Sequence, residues 1–322
     1  MRSAKRGKRK PAGEQSEGNL HLLGSRGRVV RRPGSLILIP CCWIVQCLLL
    51  HATSQSTRKP STSTTPSEER VFARIERLVG SKDYANAESL LQSAISQGTQ
   101  PAGAYLRMGK ILLDRDDWER ASRYLKKSLQ FREENDQAHL FLGFAYRKLR
   151  QPEQAETEFI QAAELNPRSD VNAYFAGHQL LIDVKFEAAL PYLYKAVKLN
   201  PRHASAYRAL GAAQVHLGNY GLAESYYRKA LEAVADPGSA EPGAYLDLPF
   251  ILLLGHDPAK VQEGLKLALS GEKLQPNSSE AHYLVGKALM KMGRAKEAVP
   301  ELETAAKLNP ADSKAHFQLA HA

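Results

Sequence analysis

The sequence predicts an all-α array of repeated helix pairs, and three observations carry that expectation. The tripeptide Leu-Asn-Pro recurs on a clock: Pro167 and Pro201 stand 34 residues apart, and Pro310 follows Pro201 by 109, three periods and seven residues more. Small residues return in phase with it. With Pro at place 32 of a 34-residue frame, frames open at Glu68, Ala102, Asp136, Asp170, Ala204, Tyr245, Ser279 and Ser313. Finally, each half-frame spaces its apolar residues as a helix does, for example Leu142 with Tyr146 and Phe159 with Ala162.

The frames give each place a packing role. Place 8 is Gly109, Gly143, Gly177, Gly211 and Gly286, and place 20 is alanine in six frames, from Ala87 to Ala298. Place 27 is Ala94, Ala162, Ala196, Ala230 and Ala305, whereas place 24 is large: Leu91, Leu125, Phe159, Leu193, Tyr227 and Leu302. Two helices approach closely only where small side chains admit their backbones, and a large residue then fills the gap. Proline at place 32 lacks an N–H and restricts the residue before it, so it ends the second helix, and Asn166 and Asn200 suit the turn. The step from Ala204 to Tyr245 is 41 residues. The extra "GSAEPGA", Gly238 to Ala244, is expected as a longer loop after which the array resumes in phase.

Small residues at places 8, 20 and 27, a bulky one at 24 and Pro at 32 of a 34-residue period resemble the tetratricopeptide repeat. The likeness covers residues 68–322 and is closest in the frames at Asp136, Asp170, Ala204 and Ser279. The frame at Ala102 has Glu133 for the proline and Ser128 at place 27, and the frame at Glu68 is expected to keep only its second helix. The frame at Tyr245 is the weakest, with Leu252 at place 8 and Gly264 and Gly271 at places 20 and 27. The resemblance implies a right-handed superhelical solenoid of antiparallel helix pairs whose first helices line a concave groove.

Groove-facing side chains in that family come from places 2, 5, 9, 12 and 13. Carried over, they include Leu106, Lys110, Leu140, Phe144, Arg147, Lys148, Tyr174, His178, Arg208 and His216, and then Tyr283, Lys287, Lys291 and Phe317. Asp114 and Glu280 are among its few acids. Such a lining fits a protein or peptide offering apolar and acidic side chains. The Lys/Asn carboxylate clamp of the family's chaperone-binding members has no support, because place 9 carries no Asn.

The segments before the array differ in composition. Residues 1–34 hold ten Lys and Arg against two Glu, and with Arg58 and Lys59 they account for the whole net charge of +10, leaving a neutral body. They read as a disordered basic leader. Residues 35–52 contain "LILIPCCWIVQCLLL", an apolar run too short to span a bilayer comfortably as a helix, followed by Ala52-Thr53-Ser54. This is the pattern of a secretory signal, with an uncleaved membrane anchor as its rival. Residues 53–67 are rich in Ser, Thr and Pro and read as a linker. All three cysteines, Cys41, Cys42 and Cys47, lie in the apolar run, so a body without thiols is compatible with an oxidising, periplasmic or other extracytoplasmic compartment.

The expected function is a scaffold for protein or peptide partners, not an enzyme. No G-x-S-x-G, H-E-x-x-H or Gly-rich phosphate loop is present, and no cofactor, metal, nucleic acid or small-molecule substrate is indicated. His139, His282 and His316 share place 4, a packing place. The alternative is the front part of a longer enzyme, motivated by a last frame that opens at Ser313 and stops at Ala322 as a fragment would. A basic nucleic-acid arm fits poorly beside the apolar run.

Overall fold

A computed structural model of the protein describes residues 66–98, 101–234 and 243–322. The leader, the apolar run and nearly all of the linker lie outside them, as does most of the seven-residue insertion. Among the described residues there are fifteen α-helices and no strand. In chain order they are α1 (Pro66–Gly80), α2 (Tyr84–Ser96), α3 (Pro101–Asp114), α4 (Trp118–Phe131), α5 (Asp136–Lys148), α6 (Pro152–Leu165), α7 (Asp170–Ile182) and α8 (Phe186–Leu199). Then come α9 (Ala204–His216), α10 (Tyr220–Ala233), α11 (Ala244–Leu252), α12 (Pro258–Leu274), α13 (Ser279–Lys291), α14 (Ala295–Leu308) and α15 (Ser313–Leu319). Odd-numbered helices open a frame and even-numbered helices close it. Each packs on its predecessor and its successor, which is the one-dimensional order of a solenoid.

Two expectations change at the start of the array. The first helix begins at Pro66, so residues 66 and 67 are helix and not linker. The frame at Glu68 also has its first helix. Ile75 occupies place 8 there, and it is buried, as are Phe72 on the same helix and Leu91 on the second. Helix formation needs an apolar stripe, not the signature glycine, and α1 has the stripe.

The signature glycine serves close approach. A Cβ added at Gly143 would lie 2.8 Å from the Phe159 ring, and one at Gly177 would lie 2.7 Å from Leu193 Cγ. The frame at Tyr245 reverses this arrangement. Its first helix carries the bulk, Leu246 with Leu253 at the helix end, and its second the small residues Gly264, Ala268 and Gly271, all buried. A Cβ at Gly271 would meet Leu246 Cδ2 at 2.5 Å. Bulk and void have changed sides, so the interface still closes.

The recurring Asn before Pro has a second task. The Asn166 side chain donates to Asp136 Oδ2 at 2.7 Å, and Asn200 donates to Asp170 Oδ2 at 2.8 Å. The end of each second helix is thereby tied to the start of its own first helix. Ser128, the departure at place 27, is fully buried and donates its hydroxyl to the Ala102 carbonyl at 2.8 Å, which satisfies the polar group the smaller alanine would lack. Asn135, Ser169 and Ser278 cap α5, α7 and α13 by accepting the N–H three residues on.

Between first and second helix the chain turns through a left-handed residue at place 15. Gly218 and Gly293 take it with φ of 77° and 72°, but Lys82, Asp116, Arg150 and Val184 also adopt φ near 60°. Val184 is β-branched and exposed, so this site is strained.

Candidate functional site

The first helices lie closer to one another than the second helices do. α3 touches α5, α7 touches α9, α11 touches α13 and α13 touches α15, and no pair of second helices among the described residues is in comparable contact. The first-helix side is therefore the inner wall. Its side chains are those the sequence assigns to the groove.

In the middle of that wall, Phe144 is half-buried and meets Phe159 and Phe175 edge to face, with ring centroids at 5.1 and 4.6 Å. The Arg147 guanidinium lies 5.1 Å from the Phe144 centroid. Tyr174 lies 5.4 Å from His178 and 4.8 Å from His203. His178 is not a cation: burial first, then the Arg147 and Arg208 charges, pushes its pKa down to about 3, and its Nδ1 has no hydrogen-bond partner. Arg208 Nε donates to Asp247 Oδ2 at 2.7 Å, tying α9 to α11 across the unequal step.

A second region lies on α13. Lys287 Nζ sits 5.7 Å from the Phe250 centroid and 6.0 Å from that of Tyr283. Burial first, and then the charges of Lys291 and Lys314, lowers its pKa. Lys291 donates to the Gly255 carbonyl at 2.8 Å. At the other end Leu106 and Lys110 are half-buried, and burial raises the Asp114 carboxyl against the pull of Lys110.

Not every groove place presents a free face. Leu140 is 5% exposed and Tyr283 9%, so both chiefly pack between helices. Lys148 and His216 are turned to the ends of their helices, where Lys148 lies over Trp118 and His216 stacks on Phe186 at 4.3 Å. Phe317 is 60% exposed. The wall also uses Phe175, Asp247 and Phe250, at places 6, 3 and 6 of their frames, which the family's groove places omit. The acidic residue one turn after the insertion was the available sign of the pairing with Arg208.

Of the histidines at place 4, His139 and His282 pack between helices as expected, whereas His316 is exposed, and the three share a device. His139 Nδ1 is 2.6 Å from Glu158 Oε2 and its Nε2 is 3.0 Å from the Glu133 carbonyl. His282 repeats both contacts with Glu301 and Pro276, at 2.7 and 2.9 Å, and His316 repeats the second with Pro310. Burial alone would lower the His139 pKa, but the hydrogen bond to Glu158 and its charge raise it.

Paired helices stacked in register, with an inner wall of aromatic and basic side chains, define a helical-repeat scaffold fold. The chain carries tetratricopeptide repeats: models described as tetratricopeptide repeat match residues 112–176, 185–240 and 279–312. It is similar to anaphase-promoting complex subunit CDC16 of Saccharomyces cerevisiae, at 25% identity over 190 residues, 58% of this chain and 22% of the yeast protein. The matched region thus spans about a fifth of that relative. Among solved structures, a chain of the APC/C hetero-tetramer Cut9-Hcn1 has 16% identity and a TM-score of 0.61, covering 77% of this chain and 47% of that one. Pseudomonas aeruginosa pilF has 18% identity and a TM-score of 0.60, covering 69% and 98%. PilW, a type IV pilus biogenesis factor, has 19% identity and a TM-score of 0.57, covering 68% and 98%. These likenesses show the fold. Among the described residues no helix is long and apolar enough to cross a membrane.

Proposed function

We propose that the chain is a non-catalytic scaffold that holds a peptide segment of a protein partner along its first-helix wall. Apolar side chains of the partner lie against Phe144 and Tyr174, and its carboxylates face Lys287 and Lys110. The observation that carries this reading is Lys287. Its ammonium is half-buried over two aromatic rings, with two further lysines raising the local potential, and an incoming carboxylate relieves that cost. Arg208, engaged with Asp247, positions the wall instead of serving as the main charge on it. The scaffold acts outside the cytoplasm, delivered or tethered by the apolar run at residues 36–50, a reading that rests on the sequence pattern alone.

Selection of displayed random peptides against the full chain tests the wall. Enriched peptides are expected to combine aliphatic or aromatic residues with Asp or Glu, and Lys287→Glu is expected to weaken them at least tenfold while Phe144→Ala weakens them independently. Peptides that bind both folded variants as tightly as the parent would remove this wall as the site.

A further inference from the structure

We propose that Glu272, His282 and Glu301 form a binding site for a divalent transition-metal cation of the zinc class, at the junction between the frames at Tyr245 and Ser279. Glu272 comes from α12, His282 from α13 and Glu301 from α14, and one donor atom of each lies within 4.8 Å of the other two. His282 Nδ1 is 2.7 Å from Glu301 Oε2 and 3.9 Å from Glu272 Oε1. Donors placed tetrahedrally around zinc at about 2.0–2.2 Å are separated by roughly 3.3–3.6 Å, and these two spacings bracket that value.

The imidazole is already oriented for the task. A carbonyl oxygen only accepts, so the 2.9 Å contact with the Pro276 carbonyl puts a proton on Nε2 and aims Nδ1 at the two carboxylates. Metal-bound histidines are fixed in this way by their second nitrogen. The other oxygen of Glu272, Oε2, is sealed from solvent and has no hydrogen-bond partner. A buried carboxylate oxygen in that condition is costly, and a cation on the carboxylate offsets the cost.

The chain supplies its own control. His139 makes the same two contacts, with Glu158 and the Glu133 carbonyl, and it does so with Leu129 at the place Glu272 holds in the later frame. The His–Glu pair therefore suffices to join frames, and Glu272 is a third donor that joining does not require. The side chains of Glu272 and Glu301 are 26% and 28% exposed, which leaves an entry path and room for a water as fourth ligand. The motif escapes a sequence scan because its donors sit 10 and 19 residues from His282, on three helices.

The test uses the full chain with Cys41, Cys42 and Cys47 changed to Ser, so that thiolates do not compete, freed of metal by a chelator and titrated with zinc chloride by calorimetry. The expected result is one saturable equivalent per chain and a higher melting temperature with zinc. Glu272→Leu, which copies the arrangement at His139 and so preserves folding, should weaken binding about 10–100-fold, Glu272→Gln should weaken it as well, and His139→Gln should leave it unchanged. Absence of saturable binding, or equal binding by folded Glu272→Leu, would overturn the site.

Discussion

The frames at Asp136 and Tyr245 solve one packing problem in opposite ways. In the first, Gly143 gives the backbone room and Phe159 of the partner helix fills it. In the second, Leu246 of the opening helix and Leu253 at its end project toward a closing helix thinned to Gly264, Ala268 and Gly271. α11 has nine residues and α12 seventeen, against thirteen and fourteen for α5 and α6. The difference teaches that the repeat conserves complementary volume across an interface, not residue type at a place.

The largest expected effect probes that exchange. Phe159→Ala should destabilise the array by about 3–5 kcal/mol, and Leu246→Ala by about 2–5 kcal/mol although it lies on the opposite helix of its frame. Denaturant unfolding measures both, and a loss below about 1 kcal/mol at Leu246 would mean that the first helix of that frame does not carry the bulk.

A smaller effect sharpens the contrast at the turn. Val184 has φ of 61°, whereas the corresponding Ala259 lies within α12. Val184→Gly should stabilise by about 1 kcal/mol through relief of strain, and Ala259→Gly should not stabilise at all. Equal responses in thermal melts would show that place 15 is alike in the two frames.

The smallest effect is electrostatic. Because Glu158 raises the His139 pKa above its ordinary value of 6.5, the pair's contribution is complete below that value and fades as pH rises through the folded-state pKa. Melting curves from pH 6 to 9 should show the parent losing more stability than His139→Gln. Parallel curves would remove the charge from the pair.

The period, the helix pairs and the inner wall were legible because close packing restricts volume at few places, and those places repeat. The left-handed turn was hidden wherever Lys82, Asp116, Arg150 or Val184 stands in for glycine. The first helix of the frame at Glu68 was hidden because Ile75 packs where the signature glycine stands in other frames. At the wall, place numbers located Phe144 and Lys287, but not the partner of Arg208, since an insertion before Asp247 shifts which residue reaches across. The neutrality of His178 depends on its burial and on the charges of Arg147 and Arg208, residues of three frames, and no single frame spells it.

The reversed frame also limits how this gene could grow or shrink. A block such as 136–169 meets like neighbours on both sides, so copying or deleting it would leave matching surfaces to rejoin. The block at 245–278 is fitted to specific neighbours, through Arg208 on one side and His282 on the other, and its removal would bring together ends shaped for something else. Change in the number of units is therefore easier upstream of Ala204 than downstream of it.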